Sequence, residues 1–192
     1  MNIAVYSGSF NPLHIGHLAI MKHLIDEAGF DMVYLIVSPK NPLKASISSN
    51  SAIERYNAAI EAVSRHFGTE ARSGRGAVKV DDIELTMPEP HYTICTLKAL
   101  QEREPDNRFT LIMGADNLAC IRKWKEYQSI LTDFGVAVFP RDSFDTEKTK
   151  QDLLKENPAY KITLIETPLV TVSSTQIREA MTNGEEISHL LM

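Results

Sequence analysis

Cysteine, excess positive charge and long apolar runs are all scarce in this chain, and each shortage closes off a class of function. The two cysteines, Cys95 and Cys120, are too few and too far apart for a disulfide framework or a CxxC metal site. They suit small buried hydrophobes of a reducing compartment, so a cytoplasmic location is expected. Lys and Arg number 20 against 25 Asp and Glu, a net charge of −5, which offers no grip on a long phosphate backbone. No nucleic-acid partner is therefore expected, although a small anion needs only a local positive pocket. No apolar stretch approaches the ~18 residues of a membrane span. An apolar strand starting at residue 2 leaves no room for a signal peptide. Neither repeats nor a long linker divide the chain, so residues 1–192 are expected to form one domain, with possible self-association left open.

What is present is alternation. Strands are expected over 2–6, 32–38, 78–85, 108–113, 135–139 and 161–165, and helices over 15–28, 50–66, 92–104, 117–131, 145–156 and 174–182. Val33-Tyr34-Leu35-Ile36-Val37 and Phe109-Thr110-Leu111-Ile112-Met113 are apolar almost throughout, as parallel strands covered on both faces must be. Alternating strands and helices imply right-handed crossovers, hence an α/β doubly wound, mainly parallel sheet with helices on both faces. Loops at 38–50 and 87–91 are expected just after strands, where substrates bind, and the loop at 68–77 reads as a surface connection.

The densest signal lies in the first seventeen residues. The strand Ile3-Ala4-Val5-Tyr6 runs into Ser7-Gly8-Ser9-Phe10-Asn11-Pro12-Leu13-His14-Ile15-Gly16-His17, and a helical pattern follows at once. This order puts two imidazoles and a helix N-terminus together at the carboxyl end of a strand. Unpaired amides and the positive end of the helix dipole attract phosphate there. His14 and His17 can donate hydrogen bonds to phosphate oxygens as imidazole or as imidazolium. Gly8 permits the turn, Asn11-Pro12 shapes the approach to the helix, and Gly16 leaves room for a ligand against the backbone. A capped helix with two partly exposed histidines would explain either imidazole alone, but not the whole string.

That string, Gly8 to His17, resembles the GxFxPxHxGH signature of the nucleotidyltransferase superfamily, whose histidines hold a nucleotide triphosphate on a Rossmann-like fold. Within that superfamily the chain resembles the nicotinate mononucleotide adenylyltransferases. Ser38-Pro39-Lys40-Asn41-Pro42-Leu43-Lys44 is similar to their lysine-ended loop, with Leu43 where His is frequent; Lys44 also suits a solvated loop. Arg55 stands where the family has an arginine, and a salt bridge on the helix surface explains it equally. His91-Tyr92-Thr93 resembles SYTxxTL, which implies amides offered to a nicotinate carboxylate, while Thr93 also reads as a helix cap. Gly114-Ala115-Asp116 followed by Trp124 resembles GxD…W, with Asp116 on ribose hydroxyls and Trp124 on the pyridine ring; a core anchor is the alternative for Trp124. Val172-Ser173-Ser174-Thr175-Gln176-Ile177-Arg178 resembles ISSTxIR, an anion site at a helix start. Arg141 suits a nucleotide contact or the surface.

The resemblance implies transfer of AMP from ATP to nicotinate mononucleotide, with Mg2+ arriving on ATP and no metal site in the protein. It implies catalysis by His14, His17, Lys44 and Arg178. ATP would bind through Gly8, Ser9, Phe10, His14, Gly16, His17, Ser174, Thr175 and Arg178. The mononucleotide would bind through Asn11, Lys44, Tyr92, Thr93, Asp116 and Trp124. The alternatives are nicotinamide mononucleotide as acceptor, a phosphopantetheine adenylyltransferase, a cytidylyltransferase or a non-catalytic nucleotide-binding regulator. A class I aminoacyl-tRNA synthetase shares His-Ile-Gly-His, but it would also need a KMSKS-like loop and a tRNA-binding body.

Overall fold

A computed structural model describes residues 1–39, 51–68, 76–141, 144–166 and 174–192. Six strands form one sheet: β1 (Asn2–Gly8), β2 (Met32–Val37), β3 (Ala77–Asp81), β4 (Arg108–Gly114), β5 (Val136–Phe139) and β6 (Ile162–Leu164). Every pairing is parallel and the order is β3-β2-β1-β4-β5-β6. The chain winds outward from β1 in one direction through β2 and β3, then returns to start again at β4. The connections leaving the carboxyl ends of β1 and β4 therefore diverge, and an open parallel sheet binds its ligand in the crevice between them.

Eight helices accompany the sheet among the described residues: α1 (Ile15–Asp26), α2 (Ala52–Phe67), α3 (Ile83–Thr86), α4 (Thr93–Arg103), α5 (Ala115–Ala119), α6 (Tyr127–Ser129), α7 (Thr146–Glu156) and α8 (Ser174–Thr182). Successive strand residues point to opposite faces, and the core divides accordingly. Ile3, Val5, Tyr34, Ile36, Leu111 and Met113 pack with Ile94, Leu97 and Leu100 of α4 and Leu153 of α7. Ala4, Tyr6, Val33, Leu35 and Ile112 pack with Ile20, Met21 and Leu24 of α1 and Ala59 and Val63 of α2. Burial on both faces is why the central strands are apolar without alternation.

Two expected elements differ. The strand expected over 78–85 stops at Asp81, which is 2% exposed. One Asp81 carboxylate oxygen accepts the Ile83 N–H at 3.1 Å, turning the chain into α3. The carboxylate also takes a two-pronged bond from Arg103, at 3.0 and 2.6 Å, and an ion pair with Lys79 at 3.0 Å. Burial alone would raise the Asp81 carboxyl, but Arg103 and Lys79 together hold it below its ordinary value. The 87–91 loop therefore follows a short helix and not a strand.

The helix expected over 117–131 is broken. α5 ends at Ala119, a 3-10 turn covers Ile121–Lys123, Trp124 is extended, and Glu126 is left-handed at φ 50°. α6 then runs into a π turn, Ile130–Phe134. Leu118, Ile121, Ile130 and Leu131 are all buried in one core cluster, which gives the segment its helix-like apolar spacing without a continuous helix. The costly backbone at Glu126 is pinned to α4 by Lys98, 2.6 Å from the Glu126 carboxylate.

Asp81→Ala removes the acceptor shared by Arg103, Lys79 and Ile83 N–H. It should destabilise the fold by ~3 kcal/mol, the low end for breaking a buried ion pair because Arg103 is partly solvated. A lowered urea midpoint with an unchanged slope is the expected readout.

Candidate active site

The loop leaving β1 is built around one packed aromatic ring. Phe10 is 5% exposed, and its ring meets Tyr6 and His17 edge-on, with centroids 5.3 and 5.0 Å apart. A Cβ on Gly8 would lie 3.1 Å from that ring, so residue 8 must be glycine or Phe10 must move. Phe10 itself has φ 43°, a left-handed backbone that a side chain disfavours, and it needs support from outside the loop. α8 supplies some of it. Arg178 Nη1 donates to Asn11 O at 2.7 Å, its Nη2 donates to Thr175 Oγ1 at 3.1 Å, and Ser174 Oγ donates to Pro12 O at 3.2 Å. The chain end adds more: Leu191 forms an antiparallel bridge with His14, and Met192 is buried with Tyr6, Phe10 and Leu13.

α1 begins with histidines used as caps. His14 Nδ1 accepts the Gly16 N–H at 3.2 Å, and His17 Nδ1 accepts the His14 N–H at 3.2 Å, a reciprocal capping box made from imidazoles. Two of the amides at this helix start, those of His14 and Gly16, are thus already engaged, and Gly16 is buried. An Nδ1 that accepts carries no proton, so each ring holds its proton on Nε2. The rings stack with centroids 3.7 Å apart. Burial, with Arg141 adding to it, lowers the His14 pKa to about 4. Burial, then His14, then Arg141, push His17 well below its ordinary value. Of the two forms the sequence allows, the structure favours neutral imidazole, each ring with one fixed Nε2–H donor.

The opposite wall comes from the carboxyl ends of β4 and β5. A Cβ on Gly114 would collide with Asp116 Oδ1 and sit 3.2 Å from the Phe139 ring, so glycine lets Asp116 fold back over the strand end. Arg141 lies over Phe139, 5.4 Å from its centroid, and its Nε stands 3.9 Å from Asp116 Oδ1, close enough for ion pairing but too far for a hydrogen bond. That Nε is buried without a hydrogen-bond partner. Arg141 thus lies over the carboxyl ends of β4 and β5, against Phe139, whose ring meets that of Tyr6 at 6.1 Å between centroids. Tyr6 is fully packed, and burial keeps its phenol protonated far above the usual range.

Tyr92 and Thr93 stand at the start of α4, and Trp124 follows the 3-10 turn after α5. A helix that returns the chain between parallel strands starts at their carboxyl ends, so Tyr92 and Thr93 share the ligand side of the sheet. The cap position is Tyr92, not Thr93, and no side chain caps this helix, which leaves the Thr93 and Ile94 N–H groups available, while Tyr92 N–H already donates to Pro90 O at 2.9 Å. Trp124 is half-buried against the core, and its Nε1 is buried without a partner. Lys125 Nζ lies 4.7 Å from the Tyr92 ring centroid and joins the two segments. Lys44, with Lys40 and Leu43, lies outside the described residues. Phe10 and Asn11, expected as ligand contacts, are largely buried, and Phe10 reads as packing.

Sequence reasoning missed two things. The imidazoles act as caps, a role that the usual Ser, Thr, Asp and Asn signals do not flag. Arg55, for which a salt bridge on the helix surface is one of two equal readings, is 4% exposed beneath the loops.

Comparison with known proteins is consistent with this geometry. A family model described as cytidylyltransferase-like matches residues 5–180. A protein of Flavobacterium johnsoniae named "Probable nicotinate-nucleotide adenylyltransferase" is 37% identical over 191 residues, spanning 100% of this chain and 92% of its own length. One of the same name from Bacteroides fragilis is 34% identical over 190 residues, spanning 97% of this chain and 85% of its own. The solved structure of Plasmodium falciparum nicotinic acid mononucleotide adenylyltransferase complexed with NaAD has the same fold. Its TM-score is 0.75 at 21% identity, over 97% of this chain and 86% of that one.

Lowered histidine pKa values set a sign for pH dependence. Between the ordinary value of 6.5 and about 4, the unfolded chain binds protons that folded His14 does not, so stability falls as pH drops through that window. His17 adds a loss of the same sign. Urea unfolding from pH 7 to 4 should show a decline that is reduced in the His14→Gln/His17→Gln double variant. NMR of the free protein should find no titration of either ring between pH 5.5 and 8.

Proposed function

The chain belongs to the cytidylyltransferase-like family and, within it, to the nicotinate-nucleotide adenylyltransferases; from that premise we propose that it joins ATP and nicotinate mononucleotide into nicotinate adenine dinucleotide and pyrophosphate. The observation that carries the reading is the stacked, neutral imidazole pair at the start of α1, with two Nε2–H donors on the ligand side of a parallel sheet.

The acceptor's phosphate oxygen attacks the α-phosphorus of ATP in line, and pyrophosphate leaves. A phosphate with a second pKa near ~6 is already largely ionised at pH 7, so no general base has to remove a proton. Catalysis then rests on positioning and on donors aimed at oxygens that gain charge. His17 and His14 donate from Nε2 to the phosphates of ATP. The loop from Gly8 and Ser9 to Gly16, with Phe10 packed beneath it, shapes their approach. Ser174, Thr175 and Arg178 close the triphosphate side; one Arg178 donor holds the loop at Asn11, another holds Thr175 within α8, and the guanidinium has further donors for phosphate. On the acceptor side Lys44 and the loop at Asn11 receive the phosphate, Asp116 the ribose hydroxyls, and Trp124 stacks on the pyridine. The uncapped amide of Thr93 at the start of α4, with Tyr92 beside it, takes the nicotinate carboxylate.

ATP brings a divalent cation, which we take to be Mg2+. Among the described residues no group of three or more His, Cys, Asp or Glu side chains could hold a metal, and Asp116 faces Arg141. The fit is to a cation held by triphosphate oxygens and water, neutralising phosphate charge. Small-molecule substrates suffice for this chemistry, and no helix among the described residues is long and apolar enough to cross a membrane.

The direct test is pyrophosphate release with ATP and each mononucleotide in turn. Release with nicotinate mononucleotide is expected; release only with the amide form, with phosphopantetheine or with neither would overturn the reading. In the same assay His17→Ala should lower kcat roughly 10²–10³-fold, as loss of one preorganised oxyanion donor does, while circular dichroism stays native. Trp124→Ala should mainly raise the mononucleotide KM, by about tenfold, in line with losing one aromatic stacking contact. An unchanged KM would leave Trp124 as core only.

A further inference from the structure

Arg55 sits in the first turn of α2, nearly fully buried, and among the described residues it meets no carboxylate. Its charge is answered by backbone carbonyls alone. Nη1 donates to Ser9 O at 2.5 Å and Ser38 O at 2.9 Å, and Nη2 donates to Pro39 O at 3.1 Å. These three carbonyls belong to two different connections. Ser9 lies in the loop between β1 and the capping histidines; Ser38 and Pro39 are the first residues after β2.

The place of the contact matters. β1 and β2 pair up to Gly8 and Val37, and one further bond, Ser38 N–H to Gly8 O at 2.9 Å, with the Ser7–Ser38 hydroxyl pair at 3.0 Å, closes the ladder. Beyond it the two chains part, one toward His14 and the other toward the loop that opens at Ser38. The guanidinium fills that fork. A planar group with donors pointing in several directions can hold three carbonyls at fixed separations, which an ammonium on a flexible stem cannot. Burial without an anion disfavours the charged form and lowers the Arg55 pKa, yet arginine stays protonated, so a full positive charge remains beneath the loops.

We propose that Arg55 is a positioning residue for the two-substrate reaction: by bolting Ser9 to Ser38 and Pro39, it sets the spacing between the loop that holds ATP and the loop that receives the acceptor phosphate. The inference rests on the function proposed above. In-line transfer needs the acceptor oxygen about 3–3.5 Å from phosphorus, and a misplacement of about 1 Å can cost roughly 10²-fold in rate. Arg55 touches neither substrate. Its loss therefore lowers the rate of the joined complex more than the affinity for either partner.

The test compares Arg55→Gln and Arg55→Lys in the full chain with wild type. Wild-type pyrophosphate release with nicotinate mononucleotide is the control; its absence would count against the proposed function, not against Arg55. In folded Arg55→Gln, separately measured Kd values for a nonhydrolysable ATP analogue and for nicotinate mononucleotide should change by less than about threefold, while kcat falls roughly 10²-fold. Arg55→Lys, which keeps the charge but not the fork, should recover kcat only in part, to about five- to tenfold below wild type. A merely structural arginine would lower the melting temperature and leave kcat near wild type at 25 °C, and that result overturns the proposal. So does a loss confined to substrate affinity. Should Arg55→Gln fail to fold, Arg55→Lys decides: a fall of at least about fivefold in kcat at unchanged KM supports the fork, and wild-type kcat refutes it.

Discussion

Both imidazoles of the amino-terminal motif have spent one nitrogen on the backbone, and the rest of the site follows from that constraint. His14 Nδ1 receives an amide from Gly16, and His17 Nδ1 receives one from His14. These two amides are therefore not offered directly to a ligand, as they would be at a bare helix N-terminus. Each amide is passed through a ring, and the donor reappears at Nε2, on the far side of the imidazole from the helix. The positive end of the helix is in effect carried outward by two aromatic rings held 3.7 Å apart. Tautomer, ring direction and charge state are set together, because protonating Nδ1 would break a cap inside a buried turn.

A loop that must present those rings is held from several sides. Its own backbone works against it, with Phe10 in the left-handed region at φ 43°. Arg178 and Ser174 take the carbonyls of Asn11 and Pro12, Arg55 takes that of Ser9, and Leu191 bridges to His14. A buried carbonyl without a donor costs about as much as a lost hydrogen bond, so each of these contacts both satisfies the loop and restricts it. Elements distant in sequence thus converge on a dozen residues. The loop's rigidity is a property of the whole sheet end.

This convergence also explains what could be read in advance and what could not. The parallel sheet and the switch between β1 and β4 follow from apolar strands such as β2 and from the regular alternation, because burial on both faces leaves a local trace in residue type. The histidine string and the Ser174–Arg178 segment were visible for the same reason: spacing within one turn is a local property. Arg55 was not, since nothing in Glu54-Arg55-Tyr56 says that three carbonyls from two loops will meet a guanidinium there. The broken segment after α5 misleads through the same local reasoning. Leu118, Ile121, Ile130 and Leu131 are spaced as on a helix because they share a core cluster, while the chain between them turns at Trp124 and Glu126. Asp81 ends β3 four residues before the expected end of the strand, because a buried carboxylate there collects Arg103, Lys79 and an amide.

Neutral imidazoles suit the transfer better than charged ones would. ATP and the acceptor are both anionic before they react, so a fixed charge attracts them in the ground state as much as in the transition state and mainly tightens binding. A neutral Nε2–H contributes through direction and distance, and its contribution grows as negative charge shifts onto the oxygen it faces. Binding by charge is left to groups at the rim. Arg141, beside Asp116, and Arg178, on the exposed face of α8, can attract phosphates while remaining partly solvated. The buried charge of Arg55 is kept one layer below, against the carbonyls of Ser9, Ser38 and Pro39. In the proposed mechanism attraction, alignment and transition-state stabilisation fall to different side chains, which a molecule of net charge −5 can accommodate because each needs only a local field.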